Sequence, residues 1–289
     1  MQTVTTLETL RQAVDELRGP TGSGRTLALV PTMGALHDGH LTLVREAKAR
    51  ADAVAVSIFV NPTQFGPNED LDAYPRQLEA DSMALRAEGV ALLWAPGVEE
   101  MYPDGFASSI RVSGVSEGLC GAARPGHFDG VATVVCKLFN QVRPDFALFG
   151  EKDWQQLAVI RRMARDLDLP TPYADAIIGV PTVREDDGLA MSSRNAYLSA
   201  SDRLAAANLP QEMRRAISAI ESGSAVAPTL AAFEAHLLQA GFDSIDYAVL
   251  ADADSLEPIE VLGDRRGRLL VAARIGKTRL IDNMAAGKI

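Results

Sequence analysis

Two periods of apolar and polar positions alternate along this chain up to about residue 180 of its 289. Continuous apolar runs stand at Thr26-Leu27-Ala28-Leu29-Val30 and at Ala53-Val54-Ala55-Val56-Ser57-Ile58-Phe59-Val60, with shorter ones at 90–94, 146–149 and 176–180. Runs of this length, rich in branched residues and without polar alternation, read as strands buried on both faces. Between them the apolar positions recur at helical spacing. Leu7, Leu10, Val14 and Leu17 mark a helix within 5–18, and the same spacing predicts helices at 41–50, 77–88, 130–142 and 154–167. Gly19-Pro20-Thr21-Gly22-Ser23-Gly24 is a loop by composition.

Strands alternating with amphipathic helices predict an α/β fold, a Rossmann-like parallel sheet with helices on both faces. Past about residue 182 the rhythm changes. A polar loop, Arg184-Glu185-Asp186-Asp187-Gly188, leads to helical stretches at 200–221 and 227–240 and strand-like pieces near 244–250 and 268–275. This predicts a smaller C-terminal α+β domain, with domains 1–182 and 183–289 and a hinge near 180–190. Ligands of parallel α/β sheets bind outside the carboxyl ends of the strands. Three polar clusters lie at such ends: Pro31-Thr32-Met33-Gly34-Ala35-Leu36-His37-Asp38-Gly39-His40, then Asn61-Pro62-Thr63-Gln64-Phe65-Gly66, then Gly150-Glu151-Lys152-Asp153. The long polar stretch 66–76 is either a mobile lid over the cleft or an ordinary surface loop.

Composition narrows the partners. Hydrophobic content of 47% suffices for a core, and a net charge of -10 argues against a nucleic-acid surface. Two cysteines, Cys120 and Cys136, make no disulfide scaffold in a chain this long and are expected reduced and buried. Without an apolar span of membrane length or a basic-then-apolar leader, a cytoplasmic protein that binds no membrane is expected.

The candidate chemistry is that of phosphate. His37 and His40, spaced i and i+3 at a helix start and flanked by Gly34 and Gly39, suit a phosphate cradle better than a metal pair, for which i and i+4 spacing is usual. Lys152, just past a strand, is a point charge suited to a polyphosphate. Asp153 either bonds a ribose hydroxyl or caps the helix at Trp154. Met191-Ser192-Ser193-Arg194 offers hydroxyls and a guanidinium on a segment expected to be flexible, either a solvated loop or a phosphate clamp, with Ser199 capping the next helix. Arg124-Pro125-Gly126-His127-Phe128 is a second basic loop, either functional or purely structural. Gln64 and Gln156 suit hydroxyls and amides.

Five segments, met in order between about residues 25 and 200, resemble the pantoate–β-alanine ligase family. They are Pro31 to His40, Phe59 to Phe65, Arg124 to Phe128, Gly150-Glu151-Lys152-Asp153-Trp154-Gln155-Gln156, and Met191-Ser192-Ser193-Arg194-Asn195. The resemblance implies ATP-dependent joining of (R)-pantoate to β-alanine through a pantoyl adenylate, with Mg²⁺, releasing AMP and pyrophosphate. It implies ATP binding by Met33, Gly34, Ala35, Leu36, His37, Asp38, Gly39 and His40, and by Gly150, Glu151, Lys152 and Asp153. Val183, Met191, Ser192, Ser193 and Arg194 would complete that site from the hinge and a closing second domain. Gln64, Gln156 and Asn61 would hold pantoate, with Gln64 also close to β-alanine. His40 would be the catalytic acid, with His37, Lys152, Ser192, Ser193 and Arg194 stabilising charge, and Asp81 would reach the metal. The resemblance also implies a homodimer. Trp154 departs from the family, where a smaller aromatic is common. The rival readings are another nucleotidyltransferase carrying the same histidine motif, a class I aminoacyl-tRNA synthetase, and a non-enzymatic ATP-binding regulator.

Overall fold

The computed structural model describes residues 1–20, 23–66, 71–72 and 74–287. The chain divides into two compact units: Met1–Glu151 with Gln156–Pro181, and Lys152–Gln155 with the residues from Thr182 onward.

In the first unit, β1 (Gln2–Val4), β2 (Leu27–Thr32), β3 (Ala53–Ile58), β4 (Leu92–Trp94), β5 (Phe146–Gly150) and β6 (Ile177–Val180) form one parallel sheet in the order β1-β4-β3-β2-β5-β6. The helices are α1 (Leu7–Arg18), α2 (Asp38–Lys48), α3 (Leu78–Ala87), the short α4 (Val98–Met101) and α5 (Leu119–Ala123), α6 (His127–Val142) and, from Gln156 on, α7 (Trp154–Asp166). Successive side chains of a strand point to opposite faces. Ala28 and Val30 of β2 pack with Val54 and Val56 of β3 against Leu43, Val44 and Ala47 of α2, while α6 lies against β2 and α1. The expected α/β sheet is therefore present.

The order of strands carries a functional consequence. From β2 the chain steps outward through β3 and β4, and β5 then returns to the other side of β2. The direction of winding reverses between β2 and β5, and such a switch point opens a crevice at the carboxyl ends of the strands. The three polar clusters follow β2, β3 and β5, three adjacent central strands.

The second unit holds α8 (Ala200–Ala206), α9 (Asn208–Glu221) and α10 (Val226–Gln239) with an antiparallel sheet of β7 (Ser244–Asp252), β8 (Arg266–Ile275) and β9 (Thr278–Gly287). Leu209, Met213 and Ile217 of α9 and Phe233 and Leu237 of α10 bury against Leu250, Leu269, Val271 and Ala273 of the sheet.

Several expected boundaries shift. β1 and β9 were not legible in the apolar pattern. The predicted helix 200–221 divides after Ala206. Pro210 has no N–H to give to the Ala206 carbonyl four residues back, and the Asn208 side chain donates instead to Ala205 O at 2.8 Å. The helix predicted from Leu41 begins at Asp38, so Asp38, Gly39 and His40 form its first turn. Of the stretch 66–76 raised as a lid, residues 67–70 and 73 lie outside the described residues. Among the described residues no helix is long and apolar enough to cross a membrane.

Candidate active site

The turn after β2 is built around a buried carboxylate. Gly34 and Ala35 both take positive φ, at +86° and +52°. Glycine meets no penalty there, whereas alanine must be held. Asp81 of α3, 2% exposed, does the holding. Its Oδ2 accepts the Ala35 N–H at 2.9 Å, its Oδ1 the Leu36 N–H at 2.9 Å, and Gln77 Nε2 donates to Oδ1 at 3.3 Å. A Cβ on Gly34 would lie 3.1 Å from Asp81 Oδ2 and 3.2 Å from Ile58 Cγ2, so a side chain here would crowd both neighbours as well as strain the backbone. Thr32 joins the turn to the sheet, donating from Oγ1 to Ser57 O at 2.8 Å.

Two amides of the histidine turn, those of Ala35 and Leu36, are engaged by Asp81. Asp81, expected to reach the metal, accepts these amides with both of its oxygens. Among the described residues no group of three His, Cys, Asp or Glu side chains is placed to hold a metal ion.

The histidines do come together. His37 is the N-cap of α2, in extended conformation, and His40 occupies the first turn. Their ring centroids are 4.1 Å apart, and the His37 backbone N–H donates to His40 Nδ1 at 3.4 Å. An Nδ1 that accepts leaves the proton of the neutral ring on Nε2. His40 thus presents Nε2–H as its donor, beside a helix N-terminus that favours anions.

The turn after β3 is equally fixed. Asn61 caps a short 3₁₀ turn, Pro62–Gln64. Asn61 is 1% exposed and Gln64 9%. Asn61 Oδ1 accepts from Thr63 N, Thr63 Oγ1 and Tyr102 Oη at 3.3, 2.9 and 2.8 Å, and its Nδ2 donates to Gly130 O at 3.2 Å and Gln64 Oε1 at 3.1 Å. Asn61, expected against pantoate, is committed to protein partners at both ends of its amide. Burial pushes the Tyr102 hydroxyl up, with its Thr63 hydrogen bond opposing weakly, so Tyr102 remains a donor. Gln64 Nε2 reaches Met33 Sδ at 3.1 Å.

The basic loop before α6 has a structural task. Arg124 Nη2 donates to Gln64 O at 3.3 Å, and His127 Nδ1 lies 2.8 Å from the same oxygen. Gly130 allows the approach of α6: a Cβ there would be 2.4 Å from Thr63 O. Gln156 lies half-buried in the first turn of α7.

The second unit carries the other candidates. Lys152 and Asp153 stand in a 3₁₀ turn, their charges 3.8 Å apart. The Lys152 carbonyl accepts from Asn283 Nδ2 at 2.8 Å. Trp154 donates its indole N–H to Ala253 O at 2.8 Å, and the Arg268 guanidinium stacks 3.4 Å above the Trp154 ring. The segment expected to be flexible is tied down. Met191 N donates to Val183 O at 3.0 Å, and Asn195 Nδ2 donates to Glu185 Oε1 at 2.7 Å and Ala190 O at 3.1 Å. Ser192 caps the 3₁₀ turn Ser193–Tyr197 by accepting Arg194 N, and a hydroxyl that accepts can still donate. Ser199 caps α8, as expected.

Sequence reasoning missed Tyr102, Gly130, Arg268 and Asn283. Each acts through a partner remote in the chain, and no local pattern marks such a pairing.

Comparison with known proteins agrees with this architecture. The family model described as pantoate-beta-alanine ligase matches residues 2–285. The chain is 69% identical over 287 residues to the pantothenate synthetase of Novosphingobium aromaticivorans, covering 99% of each. It is 60% identical over 287 residues to that of Sphingopyxis alaskensis, covering 99% of this chain and 100% of the relative. The crystal structure of pantothenate synthetase from Thermus thermophilus superposes with a TM-score of 0.90 at 47% identity, covering 98% and 99% of the two chains. That of the Francisella tularensis pantoate-beta-alanine ligase, complexed with beta-gamma ATP and beta-alanine, gives 0.79 at 33% identity, with 98% and 97% covered. With a parallel sheet that reverses beside the histidine turn, and with these likenesses over nearly its whole length, the chain belongs to the pantoate-beta-alanine ligase family.

Proposed function

We propose that this chain is an ATP-dependent ligase that condenses (R)-pantoate with β-alanine to pantothenate through a pantoyl adenylate. The observation that carries the reading is the 3.1 Å contact of Gln64 Nε2 with Met33 Sδ. An acyl adenylate requires a carboxylate beside the α-phosphorus of ATP. The residue assigned to the acid here touches the turn assigned to the nucleotide.

In the first step a pantoate carboxylate oxygen attacks the α-phosphorus, and the bond to the β-phosphate oxygen breaks. The charge on departing pyrophosphate is met by donors: His40 Nε2–H, with His37, Lys152, Ser192, Ser193 and Arg194. Donors aimed where charge develops lower the barrier most, and losing one costs on the order of 10²–10³ in rate. In the second step the neutral β-alanine amine attacks the acyl carbon, AMP leaves, and the amine sheds its proton. Exclusion of water protects the adenylate from hydrolysis.

Mg²⁺ belongs to this reading as part of the MgATP substrate. The commitment of Asp81 to two backbone amides supports a metal carried by the phosphates, and no step is assigned to it. Domain closure over ATP and a homodimer belong to this reading through the family resemblance, and a cytoplasmic location belongs to it from the sequence pattern.

The test is exchange of label between pyrophosphate and ATP. Exchange that requires pantoate, followed by AMP release that requires β-alanine, is expected. Exchange supported by an amino acid but not by pantoate would overturn the assignment.

A further inference from the structure

A side-chain amide presents either a donor or an acceptor to a ligand, depending on which way it is turned. Around Gln64 the turn is decided by groups with no choice of role. The Thr63 backbone N–H only donates, and it meets Asn61 Oδ1. The Gly130 carbonyl only accepts, and it meets Asn61 Nδ2. Both ends of the Asn61 amide are therefore assigned. Its Nδ2 also faces Gln64, so the Gln64 atom turned to it is Oε1, at 3.1 Å. The opposite end of Gln64 is Nε2, whose contact is Met33 Sδ, a weak acceptor that a ligand oxygen displaces at little cost.

The chain of donors begins at Tyr102. Its hydroxyl donates to Asn61 Oδ1 at 2.8 Å and lies 3.3 Å from Thr63 Oγ1. Its ring is set by Phe59 and Phe106, at centroid distances of 6.1 and 5.0 Å. The Gln64 backbone is held independently by His127 and Arg124.

We infer that Tyr102 is a positioning residue that, together with the Thr63 N–H and the Gly130 carbonyl and through Asn61, holds the Gln64 amide with its N–H groups toward substrate, so that this subsite accepts an oxygen lone pair and rejects a donor. The inference rests on the reading that Gln64 meets pantoate. It adds a direction to that contact: Gln64 donates to a carboxylate or hydroxyl oxygen of the acid, and it does not accept from the β-alanine amine.

Steady-state kinetics of the full chain test this with Tyr102→Phe and Gln64→Glu. Tyr102→Phe keeps the ring and removes one donor, and a neutral hydrogen bond is worth about tenfold at most. The expected result is a pantoate KM raised severalfold, by about tenfold at most, with the ATP KM and the thermal midpoint close to those of the parent. Gln64→Glu puts an anionic acceptor where the N–H stood. It is expected to weaken pantoate more than Gln64→Ala does, by on the order of a hundredfold over the parent. A pantoate KM unmoved in Tyr102→Phe, or a loss shared equally with ATP, overturns the positioning role. A Gln64→Glu variant that binds pantoate as well as Gln64→Ala overturns the polarity. Failure of the parent chain to use pantoate at all would instead remove the ligase reading.

Discussion

Asp81 shows how much one side chain changes the meaning of a motif. Two positive-φ residues, Gly34 and Ala35, are held in place because a carboxylate from α3 accepts the amides of Ala35 and Leu36 at 2.9 Å each. Asp81→Asn keeps the shape but turns an N–H toward one of those amides, setting donor against donor. Hydrogen bonds to charged groups contribute about 1.5–3 kcal/mol, and a destabilisation of that order is expected. The ATP KM should rise, since the turn carrying His37 and His40 loses its anchor, while the Mg²⁺ concentration giving half-maximal rate should not change. A shift of that midpoint, with ATP affinity intact, would return Asp81 to the metal. The sequence made the histidine pair legible because both members sit within one turn. It left Asp81 ambiguous because an acidic residue on a helix looks the same whether it faces solvent, a metal or two backbone amides 45 and 46 residues away.

Among the elements, those with a local cause were legible and those with a remote cause were not. The runs at 26–30 and 53–60 became β2 and β3 because strands covered on both faces need no polar alternation. β9 was hidden because its middle is Asp282 and Asn283, 2% and 3% exposed, polar residues in a strand core. Their burial makes sense only with their partners. Arg184 gives Asp282 a paired contact at 2.7 and 2.9 Å, and Asn283 serves the Lys152 carbonyl. The loop between Val183 and Met191 is held in the same way, by Arg203 on Glu185 at 2.5 Å and on Asp187 at 2.6 Å. The hydrogen bond from Arg203 is the main reason the Asp187 carboxyl titrates below its ordinary value. A depressed carboxyl stabilises the fold above its unfolded pKa, near about 4, and that contribution is lost as pH falls through the lower folded value. The thermal midpoint of Arg203→Leu should therefore lie below that of the parent at neutral pH and converge on it as the pH drops below about 4. A gap that persists undiminished in acid would mean that the arginine acts by packing alone.

At the scale of the whole molecule, the membership of Lys152 is the point of interest. The periodic pattern places Lys152 just past a strand of the parallel sheet. The contacts assign Lys152–Gln155 to the unit that resumes at Thr182, while Glu151 and Gln156 stay with the sheet unit. The chain lends four residues to the other unit and takes them back, which no linear pattern announces. Three contacts explain the loan: Asn283 on the Lys152 carbonyl, Ala253 O on the Trp154 indole, and Arg268 on the Trp154 face. Only tryptophan supplies both the N–H and the wide π-face, which gives a physical reason for Trp154 in this chain. The contacts separate stability from chemistry. Trp154→Phe leaves the Ala253 carbonyl without its indole donor and should cost about 1–3 kcal/mol in a denaturant melt. Asn283→Ala frees the backbone at Lys152, whose charge is proposed to act on pyrophosphate as it departs. An interaction made chiefly in the transition state shows in kcat rather than KM. Asn283→Ala is thus expected to lower kcat for adenylation while the pantoate KM holds, and single-turnover adenylate formation reads this directly. An unchanged adenylation rate would confine Asn283 to folding and leave Lys152 positioned by its own turn.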